Sequence, residues 1–452
     1  MKTNTLKIAL LGPFGFGNLG DAAIQQAMIY NARKVSNQLE IYGVSLNPDD
    51  TEKRHGIRCF PISRKPSERL DGSDQSIATP THRKFLKARH LIFRLFLEIV
   101  IIIRSMKNIS GFHHLIISGG GQLDDYFGGP LSHPYTLLKW TLCALLGGAK
   151  VHFVSVGAGP INSKLSFLLI KTALALATSR SFRDQDSKRF IAKLGFNRGD
   201  PVFPDLAHSI DAPFQTPSSE DGLVIGVGPM TYFKPGCWPE YDEKVYQTYM
   251  EKLTEFIQWL HGQNASIRLF PGEVGADRPA IDQLKSRFHK NDRDRFIIDN
   301  QIETVDELLA ELASTTFVIA SRFHGVLLSH VTRKPVIALS YHRKVSNLMK
   351  DMGHEEYCLD INTFSADELI EKFKKMQKNK DQLQHQIELK EMSYQAALTR
   401  QYKDLFTSQN NDMILTPFCR QGEKPVSSLK GELAWKRRNA ERNTIGSSRS
   451  MP

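Results

Sequence analysis

The sequence has few cysteines, and they show no regular spacing. The five cysteines are scattered along the 452 residues, at Cys59, Cys143, Cys237, Cys358 and Cys419. This pattern fits neither a zinc site nor a disulfide framework, and no cluster of metal-ligating residues is visible. An odd number of scattered cysteines predicts a reducing compartment.

Long apolar runs are also missing. Near the N-terminus, Lys7 is followed only by the short apolar run 8–11, which cannot form the core of a secretory signal, so we predict a cytoplasmic location. The segment 85–109 is the most apolar helical pattern, but Arg94 and Glu98 interrupt it. It is therefore too polar to span a bilayer.

The net charge of +11 is confined to two segments. Residues 62–110 hold ten Lys/Arg against four Asp/Glu, and residues 420–452 hold eight against three, so the remaining chain is neutral. A neutral folded body argues against nucleic acid as a partner. Two interpretations of the segment 85–105 stay open: a crossover helix packed on a sheet, or an amphipathic helix on an anionic membrane surface.

Short apolar strands alternate with helical patterns along most of the chain. This order predicts an α/β fold with parallel sheets and helices on both faces. The Pro/Ser/Asp-rich segment 211–222 is the best domain boundary. We expect an N-terminal lobe at 1–212 with a flexible basic loop at 62–84, a C-terminal lobe at 222–365, a C-terminal helix at 366–408 and a disordered basic tail at 409–452.

A glycine-rich turn follows the first predicted strand. Gly15, Gly17 and Gly20 lead into a helix for which Asp21 is the expected N-cap, and such a turn binds anions through free amides and the helix dipole. The spacing also fits a dinucleotide fingerprint, but the next strand does not end in the acidic residue that NAD or FAD binding requires, since its last residues are Val44, Ser45 and Leu46. A turn that needs glycine for backbone reasons alone is the remaining alternative.

A second glycine-rich strand end comprises Gly119, Gly120 and Gly121. Successive glycines allow the backbone to approach a ligand closely. Asp124 follows directly, and Asp205 comes after a later short strand. Each of these two carboxylates has two interpretations, ligand contact or helix capping.

Two neighbouring strands near the end of the second lobe finish in cationic and titratable residues. The first, which begins at Phe317, ends in Arg322 and His324, and the second ends in Tyr341, His342, Arg343 and Lys344. Ligands of open parallel sheets bind at the carboxyl ends of strands, so we expect an anion site with a titratable group. A surface charge and a structural contact at a helix start are the alternatives for Arg322 and His324.

Read together, the motifs occur in a characteristic order: GPFGFGNLGDAAI, GGGQLDD, VGAGP, FRDQDS, SRFHG and PVIALSYHRKV. They resemble the polysaccharide pyruvyl transferase family over about residues 6–355. The resemblance implies two Rossmann-like lobes, similar to the GT-B glycosyltransferases, with the active site in the cleft between them. It also implies transfer of pyruvate from phosphoenolpyruvate to a sugar of a cell-surface glycan, or to its lipid-linked precursor, as a ketal and without a cofactor.

The resemblance also implies roles for individual residues. Arg322 and His324 match the Arg-x-His pattern used for the donor and for acid/base chemistry, and Arg183 matches the other expected arginine, so these three are the predicted catalytic residues. Arg343, with His342, stands where the family more often has Asp-Pro. The residues predicted to bind substrate are Asn18, Gly20, Asp21, Gly119, Gly120, Gly121, Asp124, Tyr341, Arg343 and Lys344.

The expected chemistry agrees with these residue types. Phosphoenolpyruvate carries a phosphate and a carboxylate, so its site must supply several cations. A histidine can deliver the proton that its methylene carbon accepts. Two alternatives remain: a glycosyltransferase using a nucleotide sugar, although no acidic residue follows Arg322 before Asp351 to hold the ribose, and a glycan-binding protein without catalysis.

Overall fold

The computed structural model describes residues 5–36, 38–63, 80–126, 128–213, 222–234, 241–290 and 296–407. The predicted tail at 409–452 and most of the predicted loop at 62–84 lie outside these residues. Residues 80–84 were predicted as part of that loop, and this was wrong: they form the first turn of a helix that starts at Pro80. Proline fits a first helical turn because its missing N–H would have no partner there.

The N-terminal lobe contains a six-stranded sheet in the order β3-β2-β1-β4-β5-β6. Its strands β1 to β6 are Leu6–Leu11, Leu39–Ser45, Arg58–Pro61, His114–Ser118, Lys150–Val156 and Ser179–Phe182. All neighbouring pairs are parallel. The helices α1 to α6 are Leu19–Val35, Pro48–His55, Pro80–Ile109, His133–Leu146, Lys164–Leu176 and Gln185–Lys193, and a 3₁₀ turn follows at Leu206–Ser209.

The C-terminal lobe repeats this architecture in the order β12-β11-β10-β7-β8-β9, again with parallel pairs. Strands β7 to β12 are Val224–Gly228, Ser266–Leu269, Ile297–Ile298, Phe317–Ala320, Val336–Ser340 and Cys358–Asp360. Helices α7 to α13 are Glu243–Gly262, Val274–Ser286, Val305–Ala313, Phe323–Val331, Arg343–Asp351, Ala366–Lys378 and Lys380–Thr407. The predicted α/β class with two parallel, Rossmann-like sheets is confirmed.

Helix α1 starts earlier than the sequence suggested. Its N-cap is Asn18, whose side chain accepts hydrogen bonds from the amides of Gly20 and Asp21 at 3.0 and 3.2 Å. The prediction of Asp21 as the N-cap was wrong. Asp21 lies in the first turn instead, where a carboxylate still complements the helix dipole.

The segment 366–408, predicted as a single helix, forms the two helices α12 and α13. Helix α13 returns to the N-terminal lobe, where Glu391 accepts a hydrogen bond from His208 at 2.9 Å and Gln401 donates to Ser181 at 2.7 Å. The Tyr402 hydroxyl lies 3.0 Å from that of Ser209. The last helix therefore ties the end of the C-terminal lobe to the 3₁₀ turn that follows Asp205.

Helices α3, α4 and α5 cover one face of the N-terminal sheet, opposite α1, because the crossovers from β3 to β6 all move in the same direction across the sheet. Glu98 of α3 accepts hydrogen bonds from Lys139 and Tyr135 of α4, at 3.3 and 3.1 Å. Helix α3 thus forms the crossover between β3 and β4, and membrane contact of the same segment stays a prediction. Within the part of the chain that the structure describes, no helix combines the length and apolarity needed to cross a bilayer.

Candidate active site

The two lobes meet through loops at the carboxyl ends of their strands. In the β1–α1 turn, the amide of Leu19 donates to the carbonyl of Gly272 at 3.0 Å, and the carbonyl of Gly17 accepts from the amide of Val274 at 2.9 Å. The glycine-rich turn of the first lobe is therefore paired with the β8–α8 turn of the second. The predicted site residues are arranged around this contact.

His324 lies in the first turn of α10, directly after β10. Its side chain is 15% exposed, and its Nε2 atom is buried without a hydrogen-bond partner among the described residues. The nearest carboxylate oxygen, from Asp205, is 3.9 Å away. Burial lowers the pKa of His324 to about 4, although Asp205 acts in the opposite direction. The imidazole is therefore neutral at pH 7.

Gly20 forms the surface against which the His324 ring packs. A Cβ atom added to Gly20 would lie only 1.9 Å from Nδ1 of His324 and 2.2 Å from its Cγ. Glycine is required here because of this close approach. The N-terminal lobe thus fixes the orientation of a histidine that belongs to the C-terminal lobe.

Arg183, after β6, contacts the start of helix α10, which carries His324. Its guanidinium forms ion pairs with Asp184 and Asp205, both at 3.4 Å, and stacks over the ring of Phe323 at 4.7 Å. Asp205 also caps the 3₁₀ turn by accepting from the Ala207 amide at 3.0 Å. The capping interpretation of Asp205 is therefore confirmed, and a contact between Asp205 and a ligand stays a prediction.

Arg322 is held by two acidic residues that the sequence analysis missed. Its Nε and Nη2 bind the fully buried Asp277 at 2.6–3.0 Å, and its Nη1 lies 3.1 Å from Glu273. Burial opposes the charged form, but Asp277 outweighs this effect and raises the pKa of Arg322. Asp277 also accepts hydrogen bonds from the amides of Gly272 and Glu273, both at 2.9 Å. Arg322 is thus fixed to the loop that joins the lobes.

Asp21, Asp124 and Lys344 lie together at the cleft. Burial raises the pKa of Asp21 to about 7 and that of Asp124 to about 6, while Lys344 lowers both. The ammonium of Lys344 stacks over the ring of Tyr341 at 5.4 Å. The structure therefore brings Lys344 near two carboxylates, each more than two hundred positions earlier in the sequence.

The remaining predicted residues differ in their placement. Gly119 and Gly120 have left-handed backbone, with φ of 55° and 69°, and a Cβ atom added to Gly120 would lie 3.7 Å from Oδ1 of Asp21. Gly121 is exposed next to Asp124, and Arg343 is exposed beside His342. None of these placements tests a role in binding, so the site assignments stay predictions.

Two lobes with parallel sheets and a charged cleft between them define a GT-B-like fold. A glycosyltransferase from Rickettsia africae ESF-5 superposes with a TM-score of 0.53 at 10% identity, covering 91% of this chain and 100% of that one. A UDP-GlcNAc 2-epimerase from Neisseria meningitidis, bound to UDP-GlcNAc, gives 0.54 at 9% identity over 89% of this chain and 100% of that one. At such low identity these similarities show the fold alone.

The family follows from the sequence match. Residues 18–343 match the model of the family described as polysaccharide pyruvyl transferase, and the chain belongs to this family of transferases. It is also 20% identical over 404 residues to the amylovoran biosynthesis protein AmsJ of Erwinia amylovora, covering 84% of this chain and 94% of that protein. The predicted family is therefore confirmed.

Proposed function

We propose that this protein transfers pyruvate from phosphoenolpyruvate to a sugar of a cell-surface glycan or its lipid-linked precursor, forming a ketal. The observation that supports this most is the environment of His324. A neutral imidazole, whose buried Nε2 atom has no partner among the described residues, lies in the first turn after a strand whose end also carries Arg322, and the guanidinium of Arg183 stacks over the adjacent Phe323 ring. Proton transfer next to a polyanionic donor needs this combination.

The charges around the cleft suit a donor with a phosphate and a carboxylate. Arg183 and Lys344 supply positive charge from opposite lobes, and Arg322 is fixed in place by its own acidic partners. Burial raises the pKa of Asp21 to about 7, so near neutral pH this carboxyl is partly protonated and repels phosphoenolpyruvate less. We therefore assign donor binding to the region between Arg183 and Lys344.

The proposed reaction requires two proton transfers. Two hydroxyl oxygens of the sugar form bonds to C2 of the enolpyruvyl group, and the bond between C2 and the phosphate oxygen breaks. The two hydroxyl groups lose two protons in total. The methylene carbon gains one proton and becomes a methyl group, and inorganic phosphate carries away the other. One group must therefore act as an acid at carbon, and one must accept a proton from a hydroxyl.

His324 and Asp21 suit these two tasks. Binding of a trianionic donor favours the charged imidazolium, so it raises the pKa of His324 from its low value in the free protein. His324 then delivers the proton to the methylene carbon. Asp21, with its pKa of about 7, accepts a hydroxyl proton effectively near neutral pH.

The pH dependence of the reaction tests the role of Asp21. Its carboxyl has a pKa of about 7 and must be ionised to act as a base, so kcat, which reports the donor complex in which His324 is protonated, should rise as pH increases through 7. The charged groups facing it are Lys344, Glu273, Asp205 and Arg183. Asp21→Asn should abolish this rise, whereas Asp124→Asn should keep it even if binding weakens. A pH profile of Asp21→Asn with the same rise as the wild type would exclude Asp21 as the base.

The contact between Gly20 and His324 gives a second test. In Gly20→Ala the added methyl group would displace the imidazole by about 1 Å, and misplacement of this size can lower kcat about 10²-fold. Gly262→Ala is the matched control, because its Cβ atom would meet nothing within 4 Å. Urea unfolding of both variants establishes that the fold is intact. Full activity in Gly20→Ala would show that the ring orientation does not matter.

Acceptor-dependent release of phosphate from phosphoenolpyruvate is the direct assay of the proposed function.

We also propose that the protein acts in the cytoplasm at the inner face of the membrane, with peripheral contact through residues 85–105. The exposed side chains of Phe93, Phe96 and Ile99 in this segment support that contact.

A further inference from the structure

Exposed large apolar side chains are concentrated on three helices of the N-terminal lobe. Of the eighteen in the described residues, ten lie on α3, α4 and α5. They are Phe93, Phe96, Ile99, Val100, Ile103, Leu142, Leu146, Leu165, Leu168 and Leu176, and we call them the apolar face. Single exposed apolar residues are ordinary, but a concentration of ten on one part of the surface marks an interaction site.

The apolar face is continuous from helix to helix. The three helices form one layer over the sheet, with Trp140 of α4 and Ile170 of α5 buried on the inner side. Helices α3 and α4 are joined through Glu98 and Lys139, and the Cys143 sulfur lies 4.0 Å from the Ile102 carbonyl oxygen. Side chains on the outer side of each helix therefore share one surface.

The same three helices are strongly basic. Their sequences contain ten Lys/Arg and a single acidic residue, Glu98, which is paired with Lys139. The summed formal charge of the three helices is +9. Arg104, Lys107 and Lys164 are exposed beside the apolar residues. Burying Arg104, Lys107 and Lys164 against an identical surface would oppose like charges, which disfavours a second copy as the partner.

We propose that the apolar face, with its flanking lysines and arginines, docks the enzyme on an anionic lipid bilayer. Apolar side chains enter the boundary between headgroups and acyl chains, while basic residues bind anionic headgroups. The contact thus extends well beyond the segment 85–105, because five of the ten apolar residues come from α4 and α5.

The position of the apolar face suggests why a bilayer is the partner. Helix α4 begins after β4, at the edge of the sheet where the cleft lies, and the connecting loop carries Gly119–Gly121 and Asp124. This loop also exposes Leu131 (77%) and Tyr126 (40%), so apolar surface continues from the helices to the cleft. A sugar attached to a membrane lipid could reach the cleft without leaving the bilayer surface. This consequence for the acceptor rests on the proposed function; the docking itself does not.

Vesicle flotation of the full-length protein tests the docking. Binding to phosphatidylcholine vesicles containing phosphatidylglycerol should exceed binding to phosphatidylcholine alone and should weaken with salt. A variant combining Ile99→Ser, Leu146→Ser and Leu168→Ser, one change per helix, should bind at least about tenfold more weakly. The combination Arg104→Glu with Lys107→Glu should weaken binding by a similar factor. Leu389→Ser with Met392→Ser, exposed on α13, is the matched control.

Two outcomes would overturn the proposal. The first is equal binding of the wild type to neutral and anionic vesicles, and the second is unchanged lipid binding by the triple variant. If, in the second case, sedimentation velocity also shows a dimer that the triple variant abolishes, the apolar face is an interface between two copies of the chain. Phosphate release with a water-soluble acceptor should be unaffected in the triple variant. If the wild type lacks this activity but binds anionic vesicles as expected, the proposed reaction fails and the docking stands.

Discussion

His324→Gln is expected to lower kcat about 10²–10⁴-fold, the usual contribution of a positioned acid or base. Glutamine keeps a polar side chain of similar length but cannot carry a proton to carbon. The Nε2 atom of His324 makes no hydrogen bond to the described residues, so the substitution breaks no contact there and stability should change little. Single-turnover measurement of phosphate release separates the chemical step from product release.

His330→Gln is the matched control for this experiment. His330 lies on the same helix, α10, is fully buried, and its two ring nitrogens have no hydrogen-bond partner among the residues that the structure describes. It is six positions beyond His324, and we assign it no part in the reaction. His330→Gln should keep most of its activity below its unfolding temperature. If His324→Gln were equally active, His324 would have no role as a proton donor.

Asp277→Ala is expected to lower the free energy of unfolding by about 3–5 kcal/mol, as is typical when one partner of a buried ion pair is removed. The guanidinium of Arg322 would lose its bidentate partner, and the amides of Gly272 and Glu273 would lose their acceptor. The same loop pairs with Gly17 and Leu19 across the cleft. We therefore expect weaker donor binding as well, measured as a higher KM for phosphoenolpyruvate.

A double-mutant cycle separates the ion pair from other effects of the substitution. Combining Asp277→Ala with Arg322→Met should cost less than the sum of the two single changes, because each single change leaves the other member of the buried pair without its partner and the double change does not. Asp282→Ala, exposed on the same helix α8, should change stability by no more than about 0.5 kcal/mol. Strict additivity of the first two substitutions in urea unfolding would contradict the coupling of Asp277 with Arg322.

The strand ends of the site could be predicted because their signal is local. The apolar run before Arg322 and His324 specifies a buried strand, and parallel strands present their carboxyl ends to the same cleft. Asp277 was missed because its role depends on a partner forty-five positions away. The glycine-rich acidic stretch that contains Glu273 and Asp277, directly after β8, was the available sequence signal for these partners of Arg322.

Helix α13 shows why other features could not be predicted. Its sequence is rich in charged residues and suggests an exposed helix, yet Glu391 and Gln401 are buried. Their partners are His208 and Ser181, 183 and 220 positions away. Nothing local in the sequence distinguishes such residues from solvated ones, because their burial is decided by the return of the chain to the first lobe.

The same limit applied to the start of α1. Both Asn18 and Asp21 are favourable N-cap residues, and local preference does not choose between them. The structure places Asn18 at the cap, which brings Gly20 against His324 and Asp21 towards Lys344. A shift of three residues therefore decides which side chains face the cleft.

The most direct test of the proposed function is mass spectrometry of the acceptor after incubation with phosphoenolpyruvate. The probes are p-nitrophenyl glycosides of galactose, glucose and mannose, and the lipid-linked saccharides of the producing cell. We predict an acceptor whose mass increases by that of a pyruvate ketal, with release of one inorganic phosphate per acceptor and loss of both signals in His324→Gln. Consumption of a UDP- or GDP-sugar at a rate that does not change when phosphoenolpyruvate is added would contradict the proposed function.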